Sequence, residues 1–232
     1  MSAPVSASLF SASAFQQALA ATAQHLATAL PPAAARGIDA GIARTEAAGI
    51  ARHALAAGQP APNFTLPDAS GQPQTLAELL KQGPVVLTFY RGNWCPFCSV
   101  QLRAYQLALP ELARHGATLV AISPQTPDFT SLTANEKDLT FPVLSDAGNA
   151  VARQYGLAYG VGADVADTLR SVGIDLAAYN GTADDELPLT ATFLIGPDGL
   201  IAWAQVEANF KHRPDPAALL TELARLPATV PA

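Results

Sequence analysis

The sequence predicts an α/β fold with a mixed central sheet flanked by helices and preceded by an N-terminal helical extension. Continuous apolar runs at residues 85–90 and 117–123 alternate with helical patterns, which is typical of parallel strands joined by right-handed crossovers. Farther along, a Gly-Pro-Asp-Gly turn at 196–199 separates two more strand-like runs, which are expected to form a hairpin. The sheet should therefore contain both parallel and antiparallel pairs.

Residues 1–57 are predicted to form the helical extension. Apolar residues recur at three- and four-residue intervals over residues 9–30, and a Pro-Pro pair ends this first helix. A second helix is expected over about residues 38–57. These helices either pack on their own domain or form an arm for a homodimer, and the sequence leaves both open. The boundary is placed near residue 58, so that residues 58–232 form a second domain.

The second domain is predicted to alternate strands and helices. In chain order, the expected elements are a strand at 63–66, a helix at 76–80, a strand at 85–90, a helix at 95–114, a strand at 117–123, a helix at 128–137, a strand ending at 144, a helix at 150–155, strands at 190–195 and 200–206, and a helix at 216–226. Residues 156–188 are rich in Gly and Asp, with one helical piece near 164–176. A surface excursion is favoured for them, and an insertion that shapes one rim of the site is the alternative that stays open.

Composition excludes several classes of protein. The chain has 232 residues, of which 50% are hydrophobic and 14% are charged, so it is globular rather than disordered. Its net charge of −6 argues against a nucleic-acid partner. No apolar run approaches the ~18 residues of a membrane span. A secretory signal begins with a positively charged region, but the first Lys or Arg of this sequence is Arg36. The sequence therefore predicts a soluble, cytoplasmic protein without a membrane partner.

The strongest functional signal is the motif Trp94-Cys95-Pro96-Phe97-Cys98, where a buried strand is followed by a helix. Cysteines three residues apart on a helix have Cα atoms roughly 5–6 Å apart, within reach of a disulfide. Unpaired amides at a helix start also lower the pKa of a thiol and supply the reactive thiolate. The motif therefore predicts thiol redox chemistry at a cysteine pair that solvent can reach.

Competing roles for the cysteine pair are disfavoured by specific residues. A structural zinc needs four ligands, and the histidines are widely separated in the chain. These are His25, His53, His115 and His212. Covalent haem attachment needs His directly after the second cysteine, where Ser99 stands. Two inert core cysteines remain possible, since free cysteine is often buried, but this spacing at a strand-to-helix junction favours a redox role.

Residues 58–226 resemble the thioredoxin-like fold, and most closely the alkyl hydroperoxide reductase / thiol-specific antioxidant family with its peroxiredoxin-like members. The matching stretches, in family order, are Ala-Pro-Asn-Phe-Thr-Leu-Pro-Asp at 61–68, Phe-Tyr-Arg-Gly-Asn-Trp-Cys-Pro-Phe-Cys at 89–98 with Gln-Leu-Arg at 101–103, Ala-Ile-Ser-Pro at 121–124, Phe-Pro-Val-Leu-Ser-Asp at 141–146, and Ala-Thr-Phe-Leu-Ile at 191–195 before Pro-Asp-Gly at 197–199. Residues 1–57 lie outside the resemblance.

The resemblance implies two alignments that disagree on the attacking thiol. In the thioredoxin and glutaredoxin alignment, the first cysteine is the nucleophile, which names Cys95. In the peroxiredoxin alignment, the Phe-Tyr pair at 89–90 places Cys98 on the peroxidatic position. Cys95 then replaces a hydroxyl that binds peroxide and also becomes the resolving thiol. The sequence leaves both open.

The resemblance also implies a cation beside the thiolate. Peroxiredoxins carry an arginine just before the late strand, and Thr190 stands at the closest matching position here. The cation must therefore come from elsewhere. Arg91, at the strand end, is the stronger candidate, and Arg103 is either a second cation or a solvated helix residue.

Three further residues are site candidates. Trp94 either shields the sulfur or fills the core, and both readings stay open. Phe97 is expected to contact a substrate or partner rather than the core. Pro188 is the candidate for the cis-proline that thioredoxin-like sites place opposite the cysteines.

The function that the resemblance implies is reduction of peroxide. Thiolate attack gives a sulfenic acid, the second thiol condenses with it to form a Cys95–Cys98 disulfide, and a thioredoxin- or glutathione-type reductant restores the dithiol. No metal or organic cofactor is implied. Two alternatives remain: a thiol–disulfide oxidoreductase with Cys95 as nucleophile, and a non-enzymatic redox sensor whose disulfide state changes how the helical extension packs.

Overall fold

The computed structural model describes residues 12–226; residues 1–11 and 227–232 lie outside that description. Its helices are α1 (Ala12–Ala29), α2 (Pro32–Ala47), α3 (Leu76–Leu80), α4 (Pro96–Arg114), α5 (Pro127–Glu136), α6 (Ala150–Gln154), α7 (Ala163–Ser171), α8 (Leu176–Asn180) and α9 (Pro216–Leu223), with a 3-10 helix at Ile50–His53. Its strands are β1 (Thr65–Pro67), β2 (Pro73–Thr75), β3 (Val85–Phe89), β4 (Thr118–Ser123), β5 (Val143–Ser145), β6 (Ala158–Gly160), β7 (Glu186–Pro188), β8 (Thr190–Ile195) and β9 (Ile201–Glu207). Within residues 12–226, no helix combines the length and apolar character needed to cross a membrane.

The central sheet has five strands in the order β5-β4-β3-β8-β9. β4 pairs in parallel with both β3 and β5, whereas β8 runs antiparallel to both β3 and β9. Helices α4 and α5 connect the parallel strands, and a turn connects β8 to β9. The predicted mixed sheet is therefore confirmed.

β3 is buried along its whole length, which explains its uninterrupted apolar sequence. Val85, Leu87 and Phe89 pack into the core on one face of the sheet. Val86 and Tyr90 pack into the core on the other face, because successive side chains of a strand alternate in direction. This second core also contains both cysteines, so the candidate site is built into the packing on one face of the sheet.

Most predicted elements of the main domain are confirmed to within a few residues. The second helix of the extension begins and ends earlier than predicted. α2 begins at Pro32, because proline is tolerated in the first turn of a helix, and ends at Ala47, before Gly49 adopts a left-handed conformation with φ of 65°. Sequence patterns also do not predict β2, β6 or β7, each of which has 3 residues. Residues 9–11 of the predicted first helix lie outside the described part of the chain.

Both helices of the extension pack on their own domain. α1 lies on α4, and its Phe15 and Leu19 are buried in the core that contains the cysteines. α2 lies on α7, where a Cβ on Gly41 would be 2.6 Å from Val165 Cγ2, so the missing side chain permits the close approach. α7, within residues 156–188, therefore packs against the extension, so this segment is not the plain surface excursion that the sequence favoured.

Phe193 on β8 provides a test of the packing at the centre of the sheet. Its buried ring lies 6.1 Å from that of Phe89 and 5.1 Å from that of Tyr155, measured between centroids. Phe193→Ala should lower the free energy of unfolding by about 3–5 kcal/mol, because it leaves a cavity in a rigid core. Leu107→Ala, at an exposed position of α4, should change it by less than about 0.5 kcal/mol. Urea denaturation measures the free energy of unfolding of both variants and of the wild type. Equal midpoints for Phe193→Ala and the wild type would contradict the assigned core.

Candidate active site

The two cysteines lie at the point where β3 is followed by α4. Cys95 is the N-cap of α4, Pro96 is its first residue and Cys98 is its third, so the motif occupies the first turn of the helix. The free amides and the dipole at this end of a helix favour negative charge. The strand-to-helix junction predicted for the motif is thus confirmed.

The loop between β3 and the cysteines is shaped by Gly92, whose φ is 155°. A Cβ at this position would lie 2.4 Å from Trp94 Nε1 and 2.8 Å from Gln125 Oε1. The same Gln125 oxygen accepts a hydrogen bond from the backbone N–H of Asn93. Glycine therefore lets the loop close tightly over Gln125, and this brings Trp94 beside the cysteine pair.

Both thiols are buried, with 1% of Cys95 and 0% of Cys98 exposed, so the expectation that solvent reaches both sulfurs is wrong. Core residues surround them, including Phe15 and Leu19 from α1, which the resemblance did not cover. Both cysteines are free thiols, and Arg213 Nη2 lies within 3.7 Å of both sulfurs, so the two sulfurs are close together. Their proximity is compatible with a disulfide that forms and reopens locally.

Two buried arginines face the thiol pair. Arg213 places Nη2 3.3 Å from Cys98 Sγ and 3.7 Å from Cys95 Sγ. The backbone N–H of Arg91 donates to Cys98 Sγ at 3.4 Å. The Arg91 guanidinium lies 3.8 Å from the ring centroid of Phe210 and 4.8 Å from that of Trp94, so it stacks between aromatic faces. Cys98 therefore has two donors at its sulfur, one of them charged.

Neither arginine forms an ion pair with a carboxylate within residues 12–226. Each is only 4% exposed, so these positive charges need a nearby negative charge to offset their lost hydration. Burial alone would raise the pKa of Cys98, but the Cys95 thiol and Arg213 outweigh it and hold that pKa well below its usual range. Burial and then the negative sulfur of Cys98 raise the pKa of Cys95 well above its usual range. The arrangement favours a Cys98 thiolate beside a neutral Cys95 thiol.

A chain of buried polar groups connects Arg213 to the central sheet. Arg213 Nη1 donates to Gln101 Oε1 at 3.1 Å, and Gln101 Nε2 donates to the Tyr105 hydroxyl at 3.4 Å. The Tyr105 hydroxyl is 2.9 Å from that of Thr192, which is 3.0 Å from that of Thr88. Burial raises the pKa of Tyr105 to about 12, so its hydroxyl stays protonated. The cation beside the sulfurs is therefore anchored on β3 and β8.

A cavity of about 210 Å³ reaches the site from the side of the extension. Its wall includes Cys95 but not Cys98, together with Arg91, Trp94 and Phe97. Trp94 therefore lines the cavity, although the Nε1 hydrogen of its indole is buried without a hydrogen-bond partner in the described chain. The expectation that Phe97 avoids the core is wrong: its side chain is 1% exposed and packs in the core, 6.0 Å from the ring of Phe210 between centroids.

The structure does not bring the other predicted residues to the sulfurs. Arg103 is exposed on α4, which is the solvated position that the sequence left open. Pro188 lies in β7 opposite Ala158, and the described chain contains no cis peptide bond, so the cis-proline expectation is wrong. Thr190 begins β8, buried opposite Glu207, and its hydroxyl has no partner within the described residues.

Arg213 is the functional residue that sequence reasoning missed. It lies 115 positions from Cys98, in a short basic run after β9 that contains Lys211, His212 and Arg213. The sequence indicated it only indirectly. Thr190 stands where the resemblance implies an arginine, so a cation from another part of the chain was needed beside the thiolate. Nothing in the spacing of residues shows that the segment after β9 returns to the start of α4.

Several known proteins are similar to this chain. The model of the AhpC/TSA family matches residues 57–204. Two proteins of Mycobacterium tuberculosis that carry peroxiredoxin names are similar: one is 35% identical over 99 residues, with 43% of this chain and 64% of the relative covered, and the other is 31% identical over 151 residues, with 65% and 85% covered. Peroxiredoxin Q of Populus jackii is 35% identical over 100 residues, with 43% of this chain and 46% of the relative covered. The chain thus spans less than two thirds of the first and third of these relatives.

Solved structures show the same fold. Peroxidoxin BcpB of Mycobacterium tuberculosis has a TM-score of 0.59 and 24% identity, with 75% of this chain and 99% of that chain covered. Peroxiredoxin Q of Xanthomonas campestris has a TM-score of 0.54 and 20% identity, with 69% and 89% covered. The predicted thioredoxin-like fold with its mixed sheet is therefore confirmed.

The charge of Arg213 can be tested by titrating the thiols. Arg213→Met should raise the pKa of Cys98, because the charge that favours the thiolate is removed. Less thiolate should then be present at neutral pH, as measured by ultraviolet absorbance of the thiolate and by the rate of iodoacetamide alkylation against pH. Arg103→Met removes an equal charge from the exposed face of α4 and should leave the titration unchanged. An unaltered titration in Arg213→Met would contradict the assignment.

Proposed function

Because the chain belongs to the AhpC/TSA family, we propose that it is a thiol-dependent peroxide reductase with Cys98 as the peroxidatic thiolate and Cys95 as the resolving thiol. The observation that carries this proposal is the cluster of two thiols and two buried arginines without carboxylate partners in the described chain. A buried cation without a carboxylate favours an anionic sulfur. Cys98 receives the charged donor at the shorter distance, so the peroxiredoxin alignment is preferred.

The proposed first step is attack of the Cys98 thiolate on the distal peroxide oxygen. The O–O bond breaks, the Cys98 sulfur is oxidised to a sulfenic acid, and the leaving oxygen takes the proton of the Cys95 thiol to give an alcohol or water. The raised pKa of Cys95 keeps that proton in place until the step occurs. Arg213 and Arg91 offset the negative charge that moves onto the leaving oxygen.

The second step closes the disulfide. The Cys95 thiolate left by the first step attacks the sulfenic sulfur of Cys98, forms the Cys95–Cys98 bond and expels hydroxide, which takes a proton to become water. Two reducing equivalents from a thioredoxin- or glutathione-type thiol then restore both cysteines by exchange. A cytoplasmic location suits this cycle, because thiol reductants are available there. The helices of the extension pack within the chain, so no dimer is part of the proposal.

A thiol–disulfide oxidoreductase is the second candidate, and one observation favours it. Cys95 lines the cavity, whereas Cys98 does not, so a bulky disulfide entering the cavity meets Cys95 first. Peroxide attack at Cys98 requires the Cys95 side chain to move aside. The electrostatics nevertheless favour Cys98, because the lowered pKa belongs to it and the raised one to Cys95.

Single cysteine variants test the order of attack. Cys98→Ser should abolish peroxide turnover, because the proposed nucleophile is lost. Cys95→Ser should react once with hydrogen peroxide and accumulate a sulfenic acid on Cys98, since no resolving thiol follows. Dimedone labelling with peptide mass spectrometry locates the oxidised sulfur, and a peroxide consumption assay with dithiothreitol measures turnover.

The same variants separate the two candidates. The double variant Cys95→Ser/Cys98→Ser is the matched control and should show neither labelling nor turnover. Retention of peroxide turnover in Cys98→Ser would overturn the assignment of Cys98 as the nucleophile. Mixed disulfides with glutathione that form on Cys95 without peroxide reduction would overturn the peroxidase and favour the oxidoreductase.

A further inference from the structure

The cavity beside the cysteines is built largely by residues that lie outside the family match at 57–204. α1 contributes Leu26 and two alanines, Ala23 and Ala27, and α2 contributes Ile42. These helices therefore form one wall of the space through which the proposed substrate reaches Cys95. The opposite wall contains the redox motif itself.

The third wall comes from α7 and the chain around it. Its side chains are apolar except for the hydroxyl of Tyr159; they are Tyr159, Val161, Val165, Leu169, Val172 and Ile174. α2 is held on α7 by close packing at Gly41 and by an ion pair between Arg44 and Asp164 at 2.9 Å. A further ion pair connects Asp39 of α2 to Lys211 at 2.6 Å, next to the segment that carries Arg213. Several separate contacts thus hold the extension over the thiols.

Polarity along the cavity is uneven. Arg91 lines it beside Cys95, is 4% exposed and has no hydrogen-bond partner for its Nε in the described chain. Trp94 lines the same end, but its indole N–H is buried close to Gly92 and is not open to the cavity. Asp39 and Lys211 satisfy each other, so the remaining wall is almost entirely hydrocarbon. A ligand that suits this space has one small polar, oxygen-bearing end and an apolar body.

We infer that α1 and α2 are the specificity-determining wall of the peroxide site and select apolar organic hydroperoxides over hydrogen peroxide. This inference rests on the proposed function. The hydroperoxide group lies at Arg91 and Cys95, where it reaches the Cys98 sulfur once the Cys95 side chain moves aside. The hydrocarbon body lies against Leu26, Ile42 and Val165. Burial of that body lowers the free energy of binding, which hydrogen peroxide cannot match because it has no carbon.

The size of the cavity narrows the class of substrate. At about 210 Å³ it is smaller than the ~300–1,000 Å³ of sites that hold drug-sized ligands. A small alkyl or aryl hydroperoxide, such as cumene hydroperoxide, therefore suits it better than a long acyl chain. Its reduction follows the proposed cycle: the O–O bond breaks, the distal oxygen stays on sulfur, and the carbon-bearing oxygen leaves as cumyl alcohol.

Two alanines of α1 provide a matched pair of variants. Ala23 lines the cavity, and Ala21, two residues earlier, is exposed and lies outside its wall. Ala23→Phe should lower the ratio of kcat/KM for cumene hydroperoxide to kcat/KM for hydrogen peroxide by roughly tenfold, because the ring occupies space needed by the hydrocarbon body. Ala21→Phe adds the same ring outside the cavity and should leave that ratio unchanged. Ala27→Phe, also at the wall, provides a second variant should Ala23→Phe fold poorly.

A binding measurement separates this inference from the peroxidase itself. The chain has two tryptophans, Trp94 in the cavity wall and Trp203 in β9, so the reduced protein should give two indole N–H signals by NMR. Cumyl alcohol should shift the Trp94 signal in the wild type and in Ala21→Phe, but not in Ala23→Phe or Ala27→Phe. This result does not depend on turnover.

The outcomes are distinct. Absence of turnover with both peroxides, together with cumyl alcohol binding at Trp94, would overturn the proposed function and leave an apolar ligand site. Turnover with equal selectivity in the wild type and both wall variants would overturn the role of the extension and leave the peroxidase intact. Absence of any shift at Trp94 in the wild type would overturn the ligand assignment of the cavity.

Discussion

The site depends on positive charge that is buried without carboxylate partners in the described chain. Arg91 and Arg213 approach the thiol pair from two sides, one through a backbone N–H and one through its guanidinium. A carboxylate close to either group would neutralise it and remove the reason for a sulfur to be anionic. The thiols are the ionisable groups beside the two buried cations. A thiolate at Cys98 offsets the hydration that the cations lose, and the pKa of Cys98 is therefore lowered. The chemistry proposed for Cys98 therefore depends on these two buried cations.

The sequence was informative where the physics is local and less so where it is not. The uninterrupted apolar run of β3 and the proline and cysteines at the start of α4 predict the strand, the helix and the junction between them, and all three are confirmed. Arg213 could not be found in this way, because its approach to Cys98 depends on the path of the chain after β9. The burial of Cys95 likewise depends on α1, whose amphipathic pattern shows that a face is covered but not what covers it.

The extension changes the environment of a familiar motif. In the sequence it is an alanine-rich segment before the family match, and in the structure it supplies Phe15 and Leu19 to the core around the sulfurs. Glycines and alanines in its helices permit close approach to α7 and leave open space beside Cys95. Small residues here thus have two opposite effects: they permit tight packing at Gly41, and they leave space for the cavity beside it. A segment outside the matched domain therefore determines how the matched residues are reached.

The hydrogen bonds between Arg213 and the sheet have a directional order. Thr88 donates to the carbonyl of Ala191, so it accepts from Thr192, which in turn accepts from Tyr105. That order leaves the carbonyl end of the Gln101 amide to face Arg213. A slip of one residue in the pairing of β3 with β8 would turn a threonine to the opposite face and break the order. The pairing of β3 with β8 consequently determines how the Arg213 guanidinium is oriented beside the sulfurs, although Arg213 lies outside the sheet.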